Sequence, residues 1–538
     1  MKKYILITLL GVGLVSCRLD DNLDPNKVLS DQTTPELRLS GASTTAYATL
    51  AGNGVNGATG NGNGMNALGN AWTNTWSGNF ATYGNPYTTE ADLDISTTYR
   101  QIIFTETYKV LTRFQRIIDF GDSYGNYVAI AKIQKAFYMQ YLVDLYGDIP
   151  YSEAFQEADN PTPKYDNDVD VYKGLVGELL QARTLIDSYG TNPQYKVTAT
   201  SDPIFKGDMT KWKEFANTVL LKYAVRLSNT TDAAGIALRN QIITALAGAT
   251  YVTYDVSINP GYSNASPDTQ NPLYNAFGIS TASGASNTNG YLLQTASDHA
   301  IKVLQGDPSK ITSGVSDPRI DFLFTKGKKY NNTAAGGETG YFGYPQGMTN
   351  DDYKVYMGYT VDARKPVTGN FSFLGGIFLT SAGASANGYL MMKAESEFLQ
   401  SEAALRGYAG FSGDQAHFQQ GVTASFNFDG KSADAAGYIA SISSKPKVGW
   451  AGSTEDKIAA IQYQRWVALI NYNGIESYIN YLRTGYPETP LATTATKPNK
   501  PWRLLYPAAE YSSNTANVPA MTLADAFTKN SFTPFIYK

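Results

Sequence analysis

The chain has 538 residues, 43% hydrophobic and 17% charged, a formal net charge of −4, and 39 tyrosines against 23 phenylalanines and 6 tryptophans. That balance supplies a sizeable core and excludes a disordered chain; the mild negative charge without a basic run excludes nucleic acid as a partner. After residue 16 no stretch approaches about 18 uninterrupted apolar residues, the minimum for a membrane-spanning helix.

Residues 1–16 read as a signal peptide, with Lys2 and Lys3 before an apolar run from Ile5 to Val15 that is too short to cross a bilayer. Cys17 follows and is the single cysteine, so an internal disulfide is excluded and the thiol needs another purpose. "LVSC" at 14–17 resembles the lipobox of bacterial lipoproteins, in which the cysteine becomes the first mature residue and carries acyl chains. Each buried methylene contributes about 0.8 kcal/mol, so two or more chains make a stable anchor, and this is the one membrane contact expected. "RLDDNLDPN" at 18–26 resembles the export signals that send some lipoproteins to the outer cell surface.

The mature chain, 17–538, reads as one domain. Its first part, about 18–92, is expected to be irregular, because "AGNGVNGATGNGNGMNALGN" holds seven Gly and six Asn in twenty residues. Helical periodicity then begins. Ile130, Ile133, Phe137, Tyr141 and Leu145 form one apolar stripe of a helix over about 127–146, stopped by Gly147 and Pro150. A helix over about 208–228 has Asp208 as its N-cap and Trp212, Phe215, Val219 and Tyr223 on one face. Further helices are expected at about 97–120, 168–189, 232–247, 295–305, 389–406, 414–426 and 454–482. They pair as hairpins: 97–120 with 127–146, 168–189 with 208–228, 389–406 with 414–426, and the halves of 454–482 about Gly474. Two loop-rich insertions, about 250–294 and 326–388, hold only short strand-like pieces such as "YVTYDVSI" and "GGIFLT". Loops of that length are usually functional.

Catalytic and metal chemistry finds little support. His299 and His417 are the only histidines and neither has metal-ligand spacing, and no G-x-S-x-G elbow occurs. "DNDVD" at 166–170 lacks the turn glycine and terminal glutamate of a calcium loop, so Asp168 or Asp170 reads as a helix cap. Glu395 and Glu402 would share a helix face about 10 Å apart, wider than the about 5–9.5 Å of glycosidase pairs. Glu402 stands four residues before Arg406, the order of an ion pair. No catalytic residue, metal ligand or cofactor is therefore assigned, and a structural calcium ion has no readable motif.

Seven phrases in order resemble the SusD/RagB family of outer-membrane nutrient-binding lipoproteins: "DPN" at 24–26, "YLVDLYGDIPYSEA" at 141–154, "GDMTKWKEFANTVLLKYAVRLSN" at 207–229, "SDPRI" at 316–320, "AESEFLQSEAA" at 394–404, "IQYQRWVALINYNGIESYINYLRTGYP" at 461–487 and "RLLYPAAEYSSN" at 503–514. The resemblance implies a mainly α fold, SusD-like, with four TPR-like helix hairpins as scaffold, a loop-rich ligand-binding region and a few short strands. It implies a lipid-anchored protein on the extracellular side of the outer membrane that binds nutrient glycans and delivers them to a SusC-like TonB-dependent β-barrel transporter. The same role with oligopeptide cargo, and a surface glycoside hydrolase, are the alternatives. Trp212, Arg465, Trp466 and Arg483 lie in the shared scaffold phrases and are expected to pack rather than touch ligand.

A sugar ring needs a flat aromatic for its C–H face and amides or carboxylates for its hydroxyls. "NAWTNTWSGNFATYGNPY" at 70–87 has that composition, and the ligand contacts expected there are Trp72, Trp76, Asn79, Tyr83 and Tyr87, with Phe80, Asn74 and Asn85 interleaved. Secondary candidates are Tyr262, Tyr274 and Phe277 in the first long loop and Tyr341, Tyr344 and Tyr353 in the second. Composition alone does not separate glycan from peptide cargo.

Overall fold

A computed structural model describes residues 33–52, 64–79, 87–190, 192, 196–288, 290–333, 335–360 and 364–538. Residues 1–16, expected to be a signal peptide, and Cys17, and with them Phe80, Tyr83 and Asn85, lie outside the described residues. Helices of eight or more residues are α1 Pro35–Ala51, α2 Met65–Trp72, α3 Ile102–Ile118, α4 Gly125–Tyr146, α5 Asp168–Tyr189, α6 Met209–Arg226, α7 Ala233–Ala245, α8 Asp298–Gln305, α9 Lys393–Leu405, α10 Asp414–Phe428, α11 Ala435–Ile442, α12 Thr454–Leu469 and α13 Gly474–Thr484.

The expected hairpins α3/α4, α5/α6, α9/α10 and α12/α13 are all packed pairs, and α4 also packs along the length of α5, so the helices stack continuously. Asp208 caps α6, accepting from the amides of Thr210 and Lys211 at 3.1 Å each. The cap of α5 is Asn167, which accepts from Val169, so Asp168 stands inside the first turn instead of capping it. The apolar stripe predicted for α4 is buried, but so is almost every other residue of that helix. Contacts with α1, α3, α5 and α6 cover it on all sides.

The expectation of irregular chain over 18–92 is corrected by α1 and α2. Helix α1 begins with Pro35 at its first turn and buries Leu39, Ala42, Ala46, Tyr47 and Leu50. Its spacing is helical, but Gly, Ser, Thr and Ala dilute the apolar signal. Helix α2 is buried along its whole length because it crosses α13 with glycine against glycine: a Cβ on Gly69 would overlap the Gly474 carbonyl. Gly69→Ala is therefore expected to cost about 1–3 kcal/mol by overpacking, read as a lowered urea midpoint.

Six short strands form three antiparallel pairs: β1 Trp76–Gly78 with β3 Gln294–Ala296, β2 Val256–Ile258 with β6 Gly388–Met391, and β4 Gly327–Lys328 with β5 Thr339–Gly340. Residues 295–296 and 389–391, expected to open helices, thus lie in strands, and α8 and α9 start after them. In "YVTYDVSI" only the last three residues pair, and "GGIFLT" contains a 3-10 turn, Gly376–Leu379. Runs this short take their state from a partner far away in sequence.

At the centre of the helical stack six buried charges form one balanced cluster: Lys222, Arg226 and Arg465 against Asp144, Glu395 and Glu476. Arg465 lies 2.7 Å from Glu395 and 3.0 Å from Glu476, Arg226 lies 2.9 Å from both Glu476 and Asp144, and Lys222 contacts Glu395 at 3.3 Å and also Glu476. Glu402 anchors a second cluster, taking Arg483 at 2.6 and 2.8 Å, Arg406 at 2.8 Å and the Gln462 amide at 2.8 Å. Burial alone would raise the Glu402 carboxyl, but Arg483 and Arg406 hold it well below the usual carboxylate range. Glu395 and Glu402 therefore serve the scaffold, as do Trp212, Arg465, Trp466 and Arg483, all buried.

Candidate ligand-binding surface

Of the five predicted ligand contacts, four fall in described residues, Trp72, Trp76, Asn79 and Tyr87; all four are buried, as are the secondary candidates Tyr274 and Tyr344. This corrects the expectation that their rings face a ligand. Trp72 packs against Tyr478 and Tyr99, with ring centroids 4.9 and 5.8 Å away. The Trp76 indole meets Phe277 edge-on at 4.9 Å and donates to Asn471 Oδ1 at 2.7 Å. Tyr87 donates to Gln294, and the Asn79 amide donates to the Leu292 carbonyl at 2.8 Å. Tyr274 shares a hydrogen bond with Ser280 at 3.0 Å. Tyr344 stacks on Tyr353 at 5.0 Å and donates to Asn350 Oδ1 at 3.0 Å.

The physical reason is visible in the asparagines. Asn66 Nδ2 donates to the Asn471 carbonyl at 2.9 Å and Asn66 Oδ1 accepts the Gly474 amide at 2.9 Å, while Asn70 Oδ1 accepts the Asn471 amide at 3.3 Å. Asn471 itself has φ +72°. The break between α12 and α13 leaves backbone groups without helical partners; Asn66 and Asn70 satisfy them, and the Trp76 indole donates to the Asn471 side chain beside them. The aromatic-plus-amide composition that suits a sugar serves here to seal a helix break.

What the fold does present is the outer edge of the second long loop. Tyr330, Tyr344, Tyr353 and Phe371 form an aromatic cluster of their own, apart from the main core. From Tyr353 the ladder continues outward to Tyr356, 6.3 Å away. Among the described residues seven large apolar side chains are exposed, and three belong to the second long loop: the adjacent Val355 and Tyr356, at 59% and 42%, and Val367, at 45%. Tyr356 is held from below by α8: its hydroxyl donates to Asp298 Oδ2 at 2.8 Å and the Lys302 ammonium sits 4.6 Å from its ring centroid. Asp351 and Asp352 on the same short helix are exposed, as are Arg364 and Lys365 further along the lobe. Asn79, at the edge of the predicted aromatic segment, reaches the same lobe through a 3.4 Å contact with Thr368.

Of the secondary candidates, Tyr262, Phe277 and Tyr353 are buried, whereas Tyr341 is half-buried, with its hydroxyl on Asp321. Sequence reasoning missed Tyr356. The signal was present in "DDYKVYMGY" at 351–359, where Tyr353 and Tyr356 fall three apart on a short helix, one facing in and one at the edge. His417 Nδ1 meets Glu397 at 2.8 Å, and burial beside Trp466 lowers the His299 imidazole to about 3, leaving it neutral. Among the described residues no group of three or more His, Cys, Asp or Glu side chains is placed to hold a metal, and no helix is long and apolar enough to cross a membrane.

A continuous stack of helix hairpins carrying a loop-rich lobe with a tyrosine cluster defines a class of helical binding scaffold. Within that class, residues 44–507 match the SusD-like family described as starch-binding and associating with the outer membrane, and the chain belongs to this family. Similar solved structures include a chitin-binding SusD homolog from Flavobacterium johnsoniae, 21% identical, with a TM-score of 0.65 over 89% of this chain and 94% of that one. A SusD homolog from Bacteroides thetaiotaomicron is 21% identical with a TM-score of 0.62 over 90% and 93%. The SusD-like protein of Bacteroidetes AC2a is 20% identical with a TM-score of 0.66 over 90% and 96%. Among curated proteins none matches the sequence.

Proposed function

We propose that this protein is a lipid-anchored receptor on the outside of the outer membrane that captures nutrient glycans, without cleaving them, and passes them to a SusC-like TonB-dependent barrel. The observation that carries the capture step is the exposed Val355–Tyr356 edge, backed by stacked tyrosines and flanked by Asp298 and Lys302. A rigid aromatic with apolar body and wet rim is what a sugar face requires. The family description and the chitin-binding name of a similar structure support a glucose- or N-acetylglucosamine-based polymer as cargo. Cys17 supplies the tether, no cofactor is needed for binding, and Tyr83 stays a ligand candidate on composition.

Isothermal titration of the mature protein with malto- and chito-oligosaccharides tests the reading. Tyr356→Ala should weaken binding about fivefold to tenfold, the scale of one aromatic contact, and lower the unfolding midpoint only slightly, because the ring stands at the edge of the fold and its polar partners Asp298 and Lys302 still pair with each other. Equal affinity in the variant refutes the surface; binding of oligopeptides with every glycan silent refutes the cargo. Co-purification of a β-barrel from envelope membranes tests the partner.

A further inference from the structure

The constellation around Tyr356 occurs a second time in the same long loop. In the first, the Tyr356 hydroxyl donates to Asp298 Oδ2 at 2.8 Å, Asp298 pairs with Lys302 at 3.1 Å, and the Lys302 ammonium sits 4.6 Å from the ring centroid. In the second, the Tyr341 hydroxyl donates to Asp321 Oδ1, Asp321 pairs with Lys431 at 2.8 Å, and the Lys326 ammonium sits 5.5 Å from the ring centroid. Both reach solvent: Tyr356 and Lys326 are exposed, Tyr341 is half-buried, and the Asp298, Lys302, Asp321 and Lys431 side chains all keep part of their surface in water.

Helix α8 joins the two. Asp298, Lys302 and Gln305 fall at i, i+4 and i+7, one polar stripe of that helix. Tyr356 is held at Asp298 and Lys302, while the exposed Gln305 donates from Nε2 to the Tyr341 carbonyl at 3.4 Å. The anchoring points Asp298 and Gln305 lie about 10 Å apart along the helix axis, more than a single pyranose ring covers. In each unit the tyrosine hydroxyl is tied to a carboxylate, so the ring is positioned before a ligand arrives and little rotamer freedom is lost on contact. Two aspartates against three lysines leave the strip nearly balanced in charge, without the field that selects a polyanion. A unit repeated along a polar floor fits a repeating, uncharged polymer. We infer that the protein carries two matching subsites, at Tyr356 and Tyr341, and that its ligand is an internal stretch of a neutral linear glycan lying along α8 and covering both rings at once, rather than a disaccharide or a chain end. The inference rests on the glycan reading above and adds to it the length of chain recognised and a second contact residue.

Isothermal titration of the mature protein with malto- and chito-oligosaccharides, from the disaccharide to the octasaccharide, reads this directly. Affinity should rise about tenfold or more up to the length that spans both rings, the gain from making the second contact intramolecular, and then level off. Tyr341→Ala and Tyr356→Ala should each lower the long-chain affinity to near that of the disaccharide, and borohydride reduction of the chain end should leave it unchanged in the wild type. Gln305→Trp, at an exposed position between the two rings, obstructs the bridge without removing either ring and should cut long-chain affinity about fivefold or more with the unfolding midpoint kept. A wild-type affinity that is flat from the disaccharide upward, a long-chain affinity indifferent to both Tyr341→Ala and Gln305→Trp, or tighter binding of oligogalacturonate than of either neutral series would each overturn the inference. In any of those cases a loss in Tyr356→Ala keeps the single-ring reading of the lobe, whereas silence of every glycan toward the wild type removes both.

Discussion

Glu476→Ala is expected to lower stability by about 3–5 kcal/mol, the cost of breaking a buried ion pair from one side. Glu476 is the hub of the central cluster: Arg226 at 2.9 Å, Arg465 at 3.0 Å and Lys222 all converge on it from α6 and α12. Removing it leaves three buried cations facing two carboxylates. Burial by itself would raise the Glu476 carboxyl, but Arg226, Lys222 and Arg465 together outweigh it and hold the group well below the ordinary carboxylate range. A carboxyl depressed in the folded state stabilises above its unfolded value, about 4.3, and that contribution is lost only as pH falls from there toward the folded value. Urea unfolding at pH 7 should show the full loss in the variant, and the difference between wild type and variant should shrink below about pH 4. A variant as stable as wild type at pH 7 would mean that the cluster contributes little beyond packing.

The second large effect is expected at Trp76, and in stability instead of affinity. Trp76→Ala should cost about 3–5 kcal/mol for the cavity, with a further penalty because Asn471 Oδ1 loses its 2.7 Å donor inside the core. Glycan affinity of the protein that remains folded should be unchanged, since the indole is completely buried. Paired with Tyr356→Ala, this gives opposite outcomes from two aromatic truncations: one lowers the unfolding midpoint and spares binding, the other weakens binding and barely moves the midpoint. A Trp76 variant that keeps its stability and loses the glycan would restore the early aromatic segment as the ligand surface.

The contrast between Trp76 and Tyr356 shows where sequence reading stops. Both stand in Asn-, Gly- and Tyr-rich stretches with the same apparent chemistry. Trp76 is drawn inward because β1 pairs with β3, more than 200 residues away, and because its indole N–H finds its acceptor in Asn471 Oδ1, in the break between α12 and α13. Helix α1 was overlooked for a different reason: small residues are enough where a neighbouring helix comes close, but they weaken the apolar period that marks a helix in a sequence.

Local information sufficed for what depends on local spacing. The apolar periods of α4 and α6, the Asp208 cap, the stop at Gly147, the pairing of helices joined by short turns and the Glu402–Arg406 ion pair all follow from residues within a few positions of each other, and the family phrases ride on those same helices. Which aromatic faces water and which glutamates share a cation are settled by contacts between segments far apart in sequence, up to 250 residues in the Arg226–Glu476 pair. Side-chain direction in a loop has no period to betray it, so only the closed tertiary structure decides between a buried seal and an exposed ring.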